Sequence, residues 1–211
     1  MVTTVLVLPT QRYKNDGYSS NNLASAASYI QDNWNDYIET SSGTYRMNAT
    51  SDYSSTVDIG SPSSVDEALT ASQEEVASSY PSVLSNYDAI LVEDSRNYAG
   101  NTAGKASGVG GPTVADDDYY KLCAGSTLKD RCVAYCSYTL SNHLETHEVG
   151  HLYGGRHRRH EIWGVFEHTV MGNSGNPTCS GGDSTDRTRR GDFNGCSVDD
   201  IRYYMDYWGI Y

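Results

Sequence analysis

Three histidines, a glutamate and a glycine in the second half of the chain have the types and the spacing of a metal site. His147 and His151 are four residues apart, so on a helix their imidazoles lie side by side, about 6 Å apart along the axis. Gly154 permits a sharp turn after that helix, and His157 follows six residues after His151. The pattern predicts one Zn²⁺ ion held by the nitrogens of these three histidines.

The chemistry expected of such a site is hydrolysis. Three neutral nitrogen ligands leave a fourth coordination position for a water molecule, which is typical of a catalytic zinc and not of a structural one. Glu148, directly after the first histidine, is placed to act as the general base toward that water. We therefore expect zinc-activated water to attack a carbonyl group while Glu148 takes up the proton.

The run His-Glu-x-x-His-x-x-Gly-x-x-His is the signature of the metzincin clan of zinc endopeptidases, and this chain resembles that clan. Metzincins also carry a methionine in a tight turn beneath the zinc, downstream of the third histidine. Met171, within Thr169–Gly172, follows His157 by fourteen residues and corresponds to it. The resemblance implies a zinc-dependent metalloendopeptidase, in which Met171 forms a hydrophobic floor without touching the metal.

The resemblance also implies a fold. The strand at Tyr87–Glu93, the glycine-rich stretch Gly104–Gly111 and the C-terminal helix are similar to the reprolysin-like arrangement. The implied fold is an α+β, metzincin-like zincin fold in a single catalytic domain, residues 1–211. A twisted mixed sheet and the active-site helix would form a larger N-terminal subdomain (about 1–154). A small, mostly irregular subdomain (about 155–211) would end in a helix, with the cleft between the two.

The glycine-rich stretch is expected to bind the substrate. In the reprolysin-like arrangement this segment is an edge strand above the cleft, and a peptide pairs antiparallel with it through main-chain hydrogen bonds. The residues that this implies for substrate contact are Ala106, Ser107 and Gly108. The expected partner is a peptide or protein substrate, and the expected oligomeric state is a monomer.

Two positions depart from the clan's subfamily patterns. The residue after the third histidine usually marks the subfamily, and Arg158 matches none of them. Asn173 stands two residues after the methionine, where some families carry a tyrosine that contacts zinc. The subfamily is therefore unassigned, and no tyrosine ligand is expected at that position.

Two other functions are compatible with a three-histidine site. One is a catalytically silent, zinc-bearing module that recognises peptides, and Glu148 argues against it because a pure binder needs no general base. The other is a zinc hydrolase that acts on bonds other than peptide bonds. The expected edge strand suits an extended main chain and argues against this second alternative.

Hydrophobic periodicity predicts the elements that position the site. The predicted strands are Val2–Pro9, Tyr87–Glu93, Arg131–Tyr138 and an edge strand within Asn101–Val114, with a hairpin-like or extended stretch at Thr44–Ile59. The predicted helices are about Asn21–Thr40, a helix capped by Ser64 that ends before Pro81, about Thr139–Tyr153, and a last helix capped by Ser197. The stretch Arg156–Asp192 is expected to be mostly loop.

The chain is strongly acidic, and this limits its partners. It has 211 residues, 27 acidic against 15 basic, and a formal net charge of −12. Such a chain repels phosphate backbones and anionic membrane surfaces, so nucleic-acid and membrane binding are not expected. The excess of aspartate over lysine also fits a salt-adapted protein, such as one from a halophilic archaeon.

The acidic runs Asp116–Asp118 and Asp183–Asp192 offer oxygen ligands for Ca²⁺, but they lack a regular spacing and are interpreted as solvated surface.

The cysteines favour an oxidising compartment. The chain has five of them, Cys123, Cys132, Cys136, Cys179 and Cys196. Cys179 and Cys196 enclose a polar loop that a disulfide would clamp, and one further pair among the other three would leave an odd thiol. The pairing stays open. The expected location is extracellular, as a secreted protein.

Overall fold

The computed structural model describes residues 2–98, 104–106, 133–137, 143–155, 167–168, 171, 188–189, 193 and 195–209. Its strands are β1 (Thr3–Pro9), β2 (Met47–Ser51), β3 (Ala89–Asp94), β4 (Gly104–Ala106), β5 (Val133–Ser137), β6 (Glu167–His168) and β7 (Thr188–Arg189). Its helices are α1 (Gln11–Asn15), α2 (Ser20–Tyr37), α3 (Val65–Ser79), α4 (Pro81–Asn86), α5 (Leu144–Leu152) and α6 (Gly195–Trp208).

Within the described residues, the main sheet is mixed and has five strands in the order β2-β1-β3-β5-β4. β1, β2, β3 and β5 run parallel, and β4 pairs antiparallel with β5 at the end of the sheet. Parallel neighbours need crossover connections, which the helices supply. The short strands β6 and β7 pair in a separate two-stranded sheet. The α+β fold with a mixed sheet, expected from the sequence, is confirmed.

Both faces of the sheet are covered by helices, and β1 is apolar without interruption from Val5 to Pro9. Val5 and Val7 of β1 face the core shared with α2, α5 and α6. Leu6 and Leu8 of the same strand face the core shared with α3 and α4. This alternation is the two-residue period of a strand, and burial on both sides explains the continuous hydrophobic run.

The amphipathic face predicted for α2 is confirmed, and Trp34 anchors it. Leu23, Ile30 and Trp34 are buried on one face of this helix. The indole Nε1 of Trp34 donates a hydrogen bond of 2.8 Å to the carbonyl oxygen of Tyr45. The indole ring packs on the ring of Tyr153 in an edge-type contact, at 5.0 Å between ring centroids and 64° between ring planes. Since Tyr153 directly follows α5, this contact fixes the end of the motif-bearing helix.

The C-terminal helix α6 packs on the end of α2. Ile201 and Met205 of α6 are buried in the same core as Trp34. Arg202 donates through Nε to the carbonyl oxygen of Ile38 at 2.9 Å, which satisfies a carbonyl that the end of α2 leaves without a helical partner. The boundary between subdomains at about residue 154 stays a prediction, because most of 156–194 lies outside the described residues.

The stretch 44–59, expected to be hairpin-like or extended, contains the extended strand β2, which pairs parallel with β1. Two other local expectations differ from the structure. The last helix begins at Gly195, so Ser197 lies inside its first turn and is buried, and it is not the cap. Two short helices, α1 and α4, were not expected from the periodicity, because five or six residues are too few to show it.

The capping of α3 follows the prediction with one shift. The Ser64 hydroxyl accepts a hydrogen bond from the Glu67 N–H at 3.2 Å, as a capping box requires. The Glu67 carboxylate, however, accepts from the N–H of Ser63 at 2.8 Å, one residue earlier than in the usual reciprocal pair. None of the helices among the described residues is long and apolar enough to cross a membrane.

Candidate metal and catalytic site

The helix α5 carries the first part of the histidine motif and is buried from Leu144 to Leu152, between α2 and the strands β4 and β5. Gly154 ends it with φ at 83°, a left-handed conformation that favours glycine. The Gly155 N–H donates to the carbonyl oxygen of Gly150 at 2.8 Å, and the Gly154 N–H donates to that of His151 at 3.1 Å. This pair of bonds is a Schellman motif, and it turns the chain sharply after the helix.

His147 and His151 converge on one point. Their Nε2 atoms lie 3.1 Å apart, and the two ring planes are nearly perpendicular, at 88°. Two nitrogens at 2.0–2.1 Å from one tetrahedral ion would be about 3.3 Å apart, which is close to this separation. The described pair is therefore compatible with shared coordination of a metal ion.

The orientation of the His151 ring is held by a backbone carbonyl. Its Nδ1 lies 2.8 Å from the carbonyl oxygen of Gly155. A carbonyl only accepts, so Nδ1 carries the proton and Nε2 presents its lone pair toward His147. Imidazoles that bind metals usually donate their other N–H to an oxygen in this way. The Schellman turn that stops the helix thus also sets the tautomer of His151.

Glu148 lies against the edge strand. Its side chain is buried, and it occupies the space where Gly104 of β4 has no side chain. A Cβ built on Gly104 would lie 2.9 Å from Cγ and 3.0 Å from Cδ of Glu148. The carboxylate is thus confined between the helix and the strand expected to hold a peptide, where a general base is needed.

Met171 packs beneath the end of α5. It is fully buried, with Sδ 2.8 Å from a Cβ built on Gly150 and Cε 3.2 Å from one built on Gly155. Side chains at either glycine would displace it, so both glycines make room for Met171. The methionine lies next to Gly155, whose carbonyl oxygen orients the ring of His151. This position agrees with the expectation that Met171 forms a hydrophobic floor under the site.

The remaining predicted site residues are only partly covered. Ala106 is a residue of β4 and is paired with Ala134 of β5. The predicted third ligand, His157, and the predicted substrate-contact residues Ser107 and Gly108 lie outside the described residues. So do the aspartates of the two acidic runs considered for calcium. Their roles stay predictions.

Two cysteines are described. Cys136 is a free, buried thiol on β5. Cys196 is disulfide-bonded, and its partner lies outside the described residues, so the pairing with Cys179 stays a prediction.

The structure also assembles a buried acidic cluster that the sequence analysis missed. Glu93 of β3, Cys136 of β5 and Glu145 of α5 have ligand-type atoms that all lie within 4.8 Å of one another. Burial and the nearby charges of Glu145 and Asp94 raise the pKa of Glu93 well above its usual range. Burial raises the pKa of Glu145 to about 7. The sequence feature that could have indicated this cluster is Glu93, an acidic residue at the end of a predicted strand that is mostly apolar.

The carboxylate of Asp94 is also buried, and it has hydrogen-bond partners. Its Oδ1 accepts a hydrogen bond of 2.6 Å from the hydroxyl of Thr10, and its Oδ2 accepts one of 2.7 Å from the hydroxyl of Tyr135. Arg96 forms an ion pair with it, at 3.8 Å between Nε and Oδ2. These contacts join the carboxyl ends of β1 and β3 to the middle of β5, and they account for Asp94 as a structural group.

Comparisons with known proteins give a likeness in structure and none in sequence. No protein-family model and no curated protein sequence matches the chain. Metalloproteinase-II from Bacteroides fragilis matches over 96% of this chain, with a TM-score of 0.61 and 17% sequence identity. This fold is metalloproteinase-like.

The likeness covers only part of the larger neighbours. The chain spans 52% of the Bacteroides fragilis metalloproteinase. A chain from a solved chaperone–substrate complex also matches over 97% of this chain, with a TM-score of 0.56 and 15% identity, and 34% of that protein is covered. At these identities the comparisons show the fold alone, and they agree with a metzincin-like architecture.

Proposed function

We propose that this chain is a zinc-dependent metalloendopeptidase of the metzincin clan. The observation that supports it most is the convergence of the Nε2 atoms of His147 and His151, 3.1 Å apart, with the tautomer of His151 set by Gly155. His157 is the third proposed ligand, on the evidence of the sequence motif. The metalloproteinase-like fold is the second line of support.

The zinc, when bound, supplies a Lewis acid that polarises a water molecule and the scissile carbonyl. Glu148 accepts the proton of the attacking water and then delivers it to the departing amine. Its confinement against Gly104 keeps the carboxylate in one position through both transfers. A general base placed in this way contributes about 10²–10⁴-fold in rate.

The proposed substrate is an extended peptide that pairs with β4. Within the described part of the main sheet, β4 is the terminal strand and pairs only with β5. A peptide added at its outer edge would extend the sheet through main-chain hydrogen bonds, at Ala106 and at the predicted contacts Ser107 and Gly108. Because Glu148 touches Gly104 in the same strand, such a peptide would pass close to the general base.

The wider setting is part of the same proposal. We propose a secreted, monomeric enzyme with one catalytic zinc that acts on peptides or proteins and binds neither nucleic acid nor membranes. The net charge of −12 supports the exclusion of polyanionic partners. It also supports a protein adapted to high salt.

The decisive experiment is a peptide-cleavage assay of the purified chain before and after chelation. We expect chelation to abolish cleavage of a generic peptide mixture and added zinc to restore it. Glu148→Gln should retain zinc and lose cleavage by at least about 10²-fold. Glu74→Gln is the matched control, because this glutamate is exposed on α3, away from the site, and its loss should leave cleavage unchanged.

Two outcomes would overturn the proposal. Wild-type cleavage by Glu148→Gln would remove the general base from the mechanism. Stoichiometric zinc without cleavage of any peptide or protein substrate would instead favour the catalytically silent peptide-recognition module. Mass spectrometry of the digests would also define the cleavage specificity.

A further inference from the structure

The cluster of Glu93, Cys136 and Glu145 lies next to the histidine site but shares no residue with it, and Glu145 and His147 belong to one helix. Residues two apart on a helix differ by about 200° in azimuth, so Glu145 points away from the direction of His147. Glu93 and Cys136 are register partners on the parallel strands β3 and β5, so their side chains project from the same face of the sheet. That face is the one on which α5 lies.

The cluster is closed to solvent, and its two carboxyl groups have no basic or hydrogen-bonding partner among the described residues. The exposed fractions of Glu93, Cys136 and Glu145 are 0%, 0% and 1%. All four carboxylate oxygens of the two glutamates are buried, and none has a hydrogen-bond partner among the described residues. Ionised carboxylates in such surroundings strongly destabilise a folded protein unless a counter-charge accompanies them. The two carboxyl groups are therefore either protonated or accompanied by a cation.

Two species could link the carboxyl groups, a shared proton and a divalent cation. One proton joining the two carboxyl groups would occupy only two of the four oxygens and would make no use of the thiol. A cation within reach of all three side chains would satisfy oxygens from both glutamates and the sulfur together. The ligand atoms already lie within 4.8 Å of one another, about the span of a shared ion at 2.0–2.3 Å from each ligand.

We propose that Glu93, Cys136 and Glu145 form a second, buried cation site that binds a divalent ion of the zinc class and links α5 to β3 and β5. The thiolate is a soft ligand, so zinc or cobalt suits the site better than calcium or magnesium. The bound ion displaces the proton of Cys136 and any proton carried by Glu93 or Glu145, and these protons leave to solvent when the site fills. The site is structural, because its ligands are enclosed between helix and sheet.

The test uses the full chain in a background that cannot bind at the histidine site. His147→Ala and His151→Ala are combined, and the protein is unfolded and refolded in the presence of Co²⁺ under argon without a reductant, which leaves the disulfide of Cys196 intact. We expect about one equivalent of cobalt per chain, a near-ultraviolet thiolate-to-cobalt charge-transfer band, and a higher melting temperature than that of the metal-free protein. Adding Cys136→Ser should remove the band and reduce the bound cobalt.

The outcome separates this proposal from the peptidase proposal. A missing charge-transfer band, or a band and cobalt content that survive Cys136→Ser, would overturn the second site and leave the histidine site unaffected. Glu93→Gln is a second variant in case serine impairs folding, and it should likewise abolish cobalt binding. A Glu93→Gln protein that is more stable than its parent at every cobalt concentration would point to the shared proton instead. Failure of peptide cleavage in the wild type would overturn only the proposed function.

Discussion

A Cβ atom built on Gly104 would lie 2.7 Å from Oε1 of Glu148, a distance that real Cβ atoms essentially never show. The side chain of the proposed general base therefore packs against the edge strand at a point where Gly104 carries no methyl group. The contact also involves Cγ and Cδ of the glutamate, so the whole carboxylate end of the side chain must move if that space is filled.

Gly104→Ala is therefore expected to impair catalysis without removing the metal. Displacing a catalytic group by about 1 Å costs on the order of 10²-fold in rate. We expect kcat/KM for peptide cleavage to fall by about 10–10²-fold while the zinc content stays at the wild-type level. Steady-state kinetics and elemental analysis of the same preparation measure both. An unchanged kcat/KM would show that catalysis does not depend on the position in which Gly104 holds the Glu148 carboxylate.

Gly155→Ala is expected to weaken metal binding, and Gly150→Ala provides the matched comparison. A Cβ on Gly155 would lie 2.7 Å from the carbonyl oxygen of Gly150, which is backbone and gives little. The Gly155 carbonyl must then shift away from Nδ1 of His151, and losing such a supporting hydrogen bond costs about 10–10²-fold in metal affinity. A Cβ on Gly150 would meet Sδ of Met171 at 2.8 Å, the end of a flexible side chain.

Zinc competition with a chromophoric chelator measures the affinity of both glycine variants. The critical result is the order of the two zinc affinities: we expect Gly155→Ala to bind zinc more weakly than Gly150→Ala does. If Gly150→Ala loses more affinity, or if Gly155→Ala keeps the wild-type value, the carbonyl of Gly155 does not control the tautomer of His151.

Met171→Ala is expected to destabilise the fold. The side chain is fully buried beneath α5, so its truncation leaves a cavity. Truncations of this kind lower the free energy of unfolding by about 2–5 kcal/mol. Met171→Leu conserves volume and should cost less than about 1.5 kcal/mol. Urea denaturation of the zinc-free proteins measures both, and equal stabilities for the two variants would show that Met171 does not fill this space.

The sequence predicts the relation of His147 to His151 because a helix fixes the azimuth of residues four apart wherever it forms. The contact of Glu148 with Gly104 is not predictable in the same way. It depends on how an edge strand and a helix pack, and the two residues are separated by 43 positions that carry no local signal of the contact. The linear motif therefore identifies the site's residues, whereas only the fold shows how they are positioned.

Strand pairing marks a second limit of the sequence. β2 aligns Met47 with Thr3 of β1, a parallel register that no turn specifies, so a local pattern cannot distinguish it from a hairpin arm. The buried cluster of Glu93, Cys136 and Glu145 could not be predicted from the sequence for the same reason, because it depends on strand register and packing. Glu93 and Cys136 become neighbours only through the parallel register of β3 and β5, and Glu145 joins them only through the packing of α5.

The stability of the protein is expected to increase with salt. Its net charge of −12 produces self-repulsion that weakens as the screening length falls from about 10 Å at 0.1 M to about 3 Å at 1 M. Asp32 and Asp36 add a local repulsion, since both are exposed and lie four residues apart near the end of α2, which has no basic residue in its last turn. Thermal unfolding in increasing sodium chloride should therefore show the melting temperature rise by several degrees.

A variant with fewer exposed acidic groups tests whether charge causes that increase. Asp32→Asn, Asp36→Asn and Glu74→Gln together remove three negative charges and change the net charge from −12 to −9. The combined variant should be more stable than the wild type at low salt and should gain less from added chloride, because less repulsion remains to be screened. Equal salt dependence in the two proteins would assign the effect to hydrophobic burial, which salts also strengthen, and would count against the salt-adapted interpretation of the sequence.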